Sequence, residues 1–141
     1  MRAVLDTNVL ISAFANLDGT PGKIYRAWTE AVFELVISEY ILDEFRQVAV
    51  SKLKFSYGEV TEVLNLFHQT AILIEPVNVT TPGVDANDLP IFGTAVAGGA
   101  SVIVTGDKKV LKVKRFMGIK TIEPSVFLKI IETTEATVSQ E

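Results

Sequence analysis

Four acidic residues, Asp6, Glu44, Asp88 and Asp107, stand at turning points of a 141-residue chain, each beside an apolar run. Asp6 closes "RAVL" and is followed by Thr7 and Asn8 before apolar residues resume. Asp107 closes "VIVTG", Asp88 precedes "LPIFGTAVAGG", and Glu44 lies within "SEYILDEF". Carboxylates gathered within a few ångströms repel, and like charges raise each other's pKa. A hard divalent cation removes that repulsion, and oxygen-only ligands suit Mg2+ or Mn2+. Such an ion polarises a phosphoryl oxygen, generates or orients hydroxide and stabilises a leaving oxygen. If the fold brings these acids together, their chemistry is metal-assisted hydrolysis of a phosphodiester.

The elements that must position them alternate between strand and helix. "RAVL" reads as a short buried strand. The apolar run from Asn8 to Asn16 reads as a buried helix with Asp6 or Thr7 near its N-cap. "NLDGTPG" (Asn16 to Gly22) reads as loop, and "KIYRAWTEAV" repeats apolar residues at helical spacing. "FELVIS" is a second strand ending at Ser38, an N-cap type, and the next helix carries Ile41, Leu42, Phe45, Val48 and Ala49 on one face. A helix over Gly58 to Thr70, a third strand "AILIEP" and a loop over Asn78 to Asp88 follow. "LPIFGTAVAGGA" is a helix of small residues, with Pro90 in its first turn and Gly98-Gly99 as its stop. "SVIVTGD" is a fourth strand, "KKVLKVKRF" a short basic helix or turn, "GIKTIEP" a fifth strand and "SVFLKIIETT" a last helix starting near Ser125. This pattern predicts one domain over residues 1–132, with a polar tail over 133–141.

Strands separated by helices imply βαβ units, a parallel sheet and a site at the carboxyl ends of the strands. Asp6 and Asp107 fall at that edge directly, and Asp88 opens the helix that leads into the fourth strand. Glu44 shares a helical stripe with Ile41 and Val48 and so points partly inward, whereas Asp43 is turned about 100° away. Each acid also has an ordinary reading. Asp6 and Asp88 can cap helices, Asp107 can make a turn, and Glu44 can pair on the surface.

The absence of cysteine excludes disulfides, thiolate zinc sites and thiol nucleophiles, in agreement with a reducing cytoplasm. The first apolar run meets Asp6 too early for a signal-peptide core, and no stretch reaches the length of a membrane span, so a cytoplasmic protein without a membrane segment is expected. The net charge of −4 argues against a general polyanion binder. The charge is unevenly spread, however. Lys108, Lys109, Lys112, Lys114, Arg115 and Lys120 supply six of the thirteen basic residues. Such a segment is either a solvated helix face or a local attraction for a polyanion.

The segments "AVLDTNVLISA", "SEYILDEF", "DLPIFGTAVAGGA" and "VIVTGDKKVL" resemble, in order, the motifs of PIN-domain proteins, over about residues 1–128. The resemblance implies a three-layer α/β/α fold with a five-stranded parallel sheet in the order 3-2-1-4-5. It implies an Mg2+- or Mn2+-dependent endoribonuclease that cleaves single-stranded RNA to leave a 5′-phosphate and a 3′-hydroxyl. Many small prokaryotic members are VapC-like toxins, so a cognate antitoxin and a homodimer are implied as partners. Carried over by position, Asp6, Glu44, Asp88 and Asp107 are the catalytic and metal-binding acids. Asn8 and Thr105 support them, and Asp85 is an outer acid. Lys108 and Lys109, directly after Asp107, become substrate-binding phosphate guides. Pro90 departs from the apolar or basic residue usual in the family and is expected to alter how the helix begins near Asp88.

Other functions compete. A catalytically weak PIN-like module could bind RNA or a protein instead of cutting. A phospho-acceptor receiver needs an acidic pair after the first strand and an Asp after the third, but Asp6 is followed by Thr7 and Asn8, and the third strand ends "IEP". A phosphatase with an Asp-x-Asp nucleophile fails at Asn8. The single histidine, His68, lies on an amphipathic helix and is read as non-catalytic. Tyr25, Trp28 and Phe33 are read as core or dimer contacts.

Overall fold

The computed structural model describes the backbone of residues 1–140 and the side chains of residues 1–134. β1 (Arg2–Leu5) enters α1 (Thr7–Ala15) after one residue, and α2 (Thr20–Thr29) leads to β2 (Glu34–Ile37). α3 (Glu39–Lys52), α4 (Tyr57–Thr70) and β3 (Ile72–Leu73) come next, and α5 (Leu89–Gly98) precedes β4 (Val102–Val104). The chain ends with α6 (Lys108–Leu111), β5 (Arg115–Phe116), β6 (Ile119–Ile122) and α7 (Pro124–Gln140). α7 thus carries helix through residues 133–140, the segment expected as a polar tail.

The sheet order is β3-β2-β1-β4-β6-β5. Every neighbouring pair is parallel except β5 with β6. The five parallel strands follow the expected order 3-2-1-4-5, with β6 as the fifth. The sheet has six strands, not five, because the basic segment "KRF" adds an antiparallel edge. Met117 and Gly118 both have positive φ, at 50° and 81°, as a two-residue hairpin loop requires. Arg115 and Phe116 then pair with Lys120 and Ile119.

β1, β2 and β4 are buried along nearly their whole length, as strands covered by helices on both faces must be. α5 packs on all three of these strands. Gly98 makes that approach possible, because a Cβ there would collide with the side chain of Val36 on β2. On another layer α1 packs on α2 and α3, and α2 on α7. Trp28 stacks on Phe67, Tyr25 and Phe45 contact Phe14, and Phe33 meets Phe127 edge-on. Tyr25, Trp28 and Phe33 therefore serve the core. His68 is exposed and lies 2.8 Å from Glu39.

Two further boundaries differ from the sequence reading. Thr20, Pro21 and Gly22 belong to α2 rather than to a loop, with Pro21 in the first turn, where a missing N–H costs nothing. The third strand is only Ile72–Leu73, extended by one further backbone bond from Ile74 N to Ile37 O. No helix among the described residues is long and apolar enough to cross a membrane.

Candidate active site

β1 delivers Asp6 to the carboxyl edge of the sheet, where its backbone N–H bonds Val104 O of β4 at 2.9 Å. Asp6 is the N-cap of α1, with extended backbone. Its Oδ1 accepts from Thr7 N at 2.8 Å, and its Oδ2 accepts from the Thr105 hydroxyl at 2.8 Å and from Asn8 Nδ2 at 3.4 Å. Asp6 as a whole is only 6 % exposed. Thr105 in turn accepts from Asp107 N at 3.0 Å, and Asn8 Oδ1 accepts from Gly106 N at 3.3 Å. The ends of β1 and β4 are thus tied together through the side chains of Asp6, Asn8 and Thr105.

Asp107 caps the four-residue helix α6 by accepting from Lys109 N at 2.9 Å. Asp88 occupies the N-cap position of α5 but makes no side-chain cap bond. Glu44 is half-buried on α3, and its neighbour Asp43 is exposed and paired with Arg46 at 2.6 Å. Asp6, Glu44, Asp88 and Asp107 all line one cavity of about 350 Å³, together with Thr7, Asn8, Ile11, Ser12, Val48, Lys52 and Ile91. Asp85, Lys108 and Lys109 are not on that lining. Lys109 Nζ lies 3.5 Å from Asp85 Oδ2, beside the cavity, so the outer acid holds one of the two lysines expected to guide phosphate.

The acids feel one another. Burial holds the Asp6 carboxyl above its ordinary value. The bonds from Thr105 and Thr7 pull it back, and the charges of Asp88 and Asp107 push it up again. Burial likewise raises Glu44, followed by the charges of Asp6 and Asp88, against a lowering contribution from the Tyr40 hydroxyl. Asp88 is raised by burial, then by Asp107 and Asp85, with Lys109 opposing. Tyr40 is itself raised by burial and by Glu44, Asp88 and Asp6, and its hydroxyl donates to Asn87 O at 2.6 Å. It therefore ties the first turn of α3 to the loop that carries Asp88.

Among the described residues, no group of three or more Asp, Glu or His side chains is disposed to hold a metal ion by itself. Mg2+ does not require such a cage. It commonly keeps several waters and takes one or two protein carboxylates plus substrate phosphate. The acids offer only oxygen donors, the cavity is open to solvent, and the charges of neighbouring acids add to burial in raising the carboxyls of Asp6, Glu44 and Asp88. Thr7 Oγ1, buried on the same lining, has no hydrogen-bond partner. These residues fit a hard, partly hydrated divalent cation.

Sequence reasoning missed Ser12, Lys52 and the tie made by Tyr40. Ser12 and Lys52 carried no motif. Lys52 could have been found as the i+8 continuation of the Glu44–Val48 stripe, since residues two turns on share a face.

Known proteins give independent points of similarity. The family model described as PIN domain matches residues 2–109. MJ1680, an uncharacterized protein of Methanocaldococcus jannaschii, is 30 % identical over 122 residues, which cover 81 % of this chain and 76 % of that protein. A chain of the structure of VapBC2 from Rickettsia felis bound to a DNA fragment from their promoter superposes with a TM-score of 0.58 at 17 % identity, over 87 % of this chain and 98 % of its own. A chain of the VapBC-1 structure from nontypeable Haemophilus influenzae gives 0.58 at 18 % identity, over 89 % and 99 %. At such identities the two structures speak for the fold.

Proposed function

The chain belongs to the PIN domain family, whose members are typically nucleases, and we propose that it is an Mg2+- or Mn2+-dependent endoribonuclease acting on single-stranded RNA. The observation that supports this reading best is the convergence of Asp6, Glu44, Asp88 and Asp107, from four separate elements, on one cavity. When bound there, the metal supplies Lewis-acid activation of the phosphoryl group and of the attacking water.

The chain's own residues then divide the work. Asp6, fixed by Thr7, Thr105 and Asn8, is the rigid anchor for the ion. Asp88 and Glu44, whose carboxylates are free of backbone bonds, adapt around it and around its waters. Asp107 keeps one oxygen on the α6 backbone and faces the cavity from the β4 side. Asn8 and Thr105 hold the two strand ends in register, and Ile11, Val48 and Ile91 give the cavity an apolar wall. Lys108 and Lys109 flank Asp107 and attract the strand's phosphates, with Asp85 steadying Lys109.

The fold likeness to chains of VapBC structures extends this reading to the toxin of a toxin–antitoxin pair, acting in the cytoplasm as a homodimer and neutralised by an antitoxin protein. A second reading, a PIN-like module that binds RNA or a protein and cuts weakly, makes the opposite forecast for cleavage. Cleavage of defined single-stranded RNAs by wild type and Asp6→Asn, with and without EDTA, decides between them. The ribonuclease reading expects metal-dependent cutting by wild type alone. Equal activity of the two proteins, or activity that survives EDTA, overturns it.

A further inference from the structure

The acidic cavity has one cationic wall residue. Lys52 is the last residue of α3 and, among the described residues, the one cation on the cavity lining. α3 places Glu44, Val48 and Lys52 at successive turns, and all three face that cavity. The rise of a helix puts Lys52 about 12 Å along the axis from Glu44. Of the other basic side chains, Arg46 pairs with Asp43 and Lys109 with Asp85, while Lys108 stands off the lining. Lys52 is exposed and makes no ion pair among the described residues, even though four carboxylates line the same cavity.

Four carboxylates and one divalent ion leave the cavity negative, so a polyanion needs cations on its flanks to enter. Lys108 and Lys109 supply them on the helix that follows β4. Lys52 comes from the helix that follows β2, and β1, with Asp6 at its end, runs between those two strands. We infer that Lys52 is a phosphate-binding residue on the far wall of the cavity, taking a backbone phosphate displaced along the strand from the one that is cut. The strand then crosses the acids from the α6 side to the end of α3. This assignment rests on the ribonuclease reading and gives it a direction for the substrate. A lysine in the last turn of a helix also suits the helix dipole, but that role needs no ligand and predicts no effect on RNA.

Lys52→Ala and Lys52→Arg, each placed in an Asp6→Asn background to prevent cutting, are titrated with a single-stranded RNA across a series of salt concentrations. Lys52→Ala is expected to bind several-fold more weakly at low salt, with the slope of log K against log salt shallower by about 0.7, the value for one single-strand phosphate contact. Lys52→Arg is expected to keep the slope. With Asp6 intact, Lys52→Ala should lose more cleavage on a long strand than on bis(p-nitrophenyl) phosphate, which is too small to span from the acids to Lys52. An unchanged slope in Lys52→Ala, or equal losses on the long and minimal substrates, overturns the assignment while the ribonuclease reading stands. A wild-type protein that neither binds nor cuts any single-stranded RNA overturns both.

Discussion

Asp6 and Asp88 each occupy the residue before a helix, and they use that position in opposite ways. Asp6 has extended backbone (φ −63°, ψ 154°) and gives its oxygens to Thr7, Thr105 and Asn8. Asp88 has helical backbone (φ −95°, ψ −15°), and its side chain caps nothing. Its loop is held instead by main-chain bonds, Asp88 N to Asp85 O at 2.9 Å and Ile91 N to Asp88 O at 3.1 Å. A true cap spends lone pairs on the backbone and gains a fixed direction. An acid that declines to cap keeps its lone pairs for an ion and its waters but depends on the loop for aim. The cavity combines one acid of each kind with Glu44, which caps no helix and feels the Tyr40 hydroxyl, and Asp107, which caps a very short helix.

The sharpest way to break this comparison is to neutralise the fixed acid. Asp6→Asn keeps the bond from Thr7 N and the local shape but removes the charge proposed to anchor the ion. Cleavage is expected to fall roughly 10²–10³-fold. Isothermal titration should show that Mn2+ binding weakens in parallel. If Asp6→Asn retained metal affinity while Asp88→Asn lost it, the roles of anchor and adaptable ligand would be reversed.

The next effect tests what fixes Asp6. Thr105→Val keeps the volume but removes one donor to Asp6 Oδ2 and the acceptor for Asp107 N. Groups that orient metal ligands are worth about 10–100-fold in metal affinity or activity. Asp107 N would lose its acceptor, and a buried polar group left unpaired costs about 1–3 kcal/mol. Both losses are expected together, in a cleavage time course and a urea denaturation curve. A stability loss at full activity would make Thr105 a strand-end brace with no part in aiming Asp6.

Much of this was legible in the chain. Five short runs marked the parallel strands, most of them continuous in Val, Ile and Leu as buried strands are, and the acids near their ends could be placed by topology. β5 was not legible, because its two residues, Arg115 and Phe116, sit inside a basic run with no alternating pattern. Its signal was Gly118, which fits a tight hairpin loop. Thr20–Gly22 looked like a turn for its composition, yet Pro21 opens α2 and Gly22 is small because its Cβ would run into the backbone of Leu17. Ser38 was the right residue type at the start of α3, but it does not cap; its hydroxyl is buried 2.9 Å from that of Thr94. Capping types reveal where a helix begins. They do not reveal whether the side chain is spent there, and for Asp6 and Asp88 that distinction is the site.

The burial of these acids has a thermodynamic trace. Asp6, Glu44 and Asp88 are all raised in the folded protein, by burial first and further by the charges of neighbouring acids. Between the ordinary carboxylate range and those raised values the folded state binds more protons than the unfolded one. The metal-free protein therefore loses stability as pH rises through that window, and these groups weigh least at the acidic end, where both states are protonated. Urea midpoints in EDTA should fall over that range and recover when Mg2+ or Mn2+ binds the native state. Asp88→Asn should stabilise the metal-free protein at neutral pH by about 0.5 kcal/mol, a small effect because solvent screens a half-exposed carboxylate. A rise in stability with pH across the window would mean that donors, not repulsion, govern these acids.

The smallest effect concerns the two lysines beside the capped acid. Lys109 is divided between Asp85 and any phosphate, while Lys108 makes no ion pair among the described residues. Each full contact to a single strand contributes about 0.7 to the salt slope. Lys108→Ala should therefore remove close to that amount, and Lys109→Ala less, because Asp85 already neutralises part of the Lys109 charge; the loss of Lys109 also frees Asp85 to repel the strand, which lowers affinity. Adding Asp85→Asn to Lys109→Ala separates the two terms: affinity at low salt should rise while the slope stays where the single variant left it. If Lys109→Ala removed as much slope as Lys108→Ala, and Asp85→Asn then changed nothing, Lys109 would be a phosphate contact in its own right and Asp85 a bystander. The capped acid would then be flanked by two equal guides, not by one guide and one tethered neighbour.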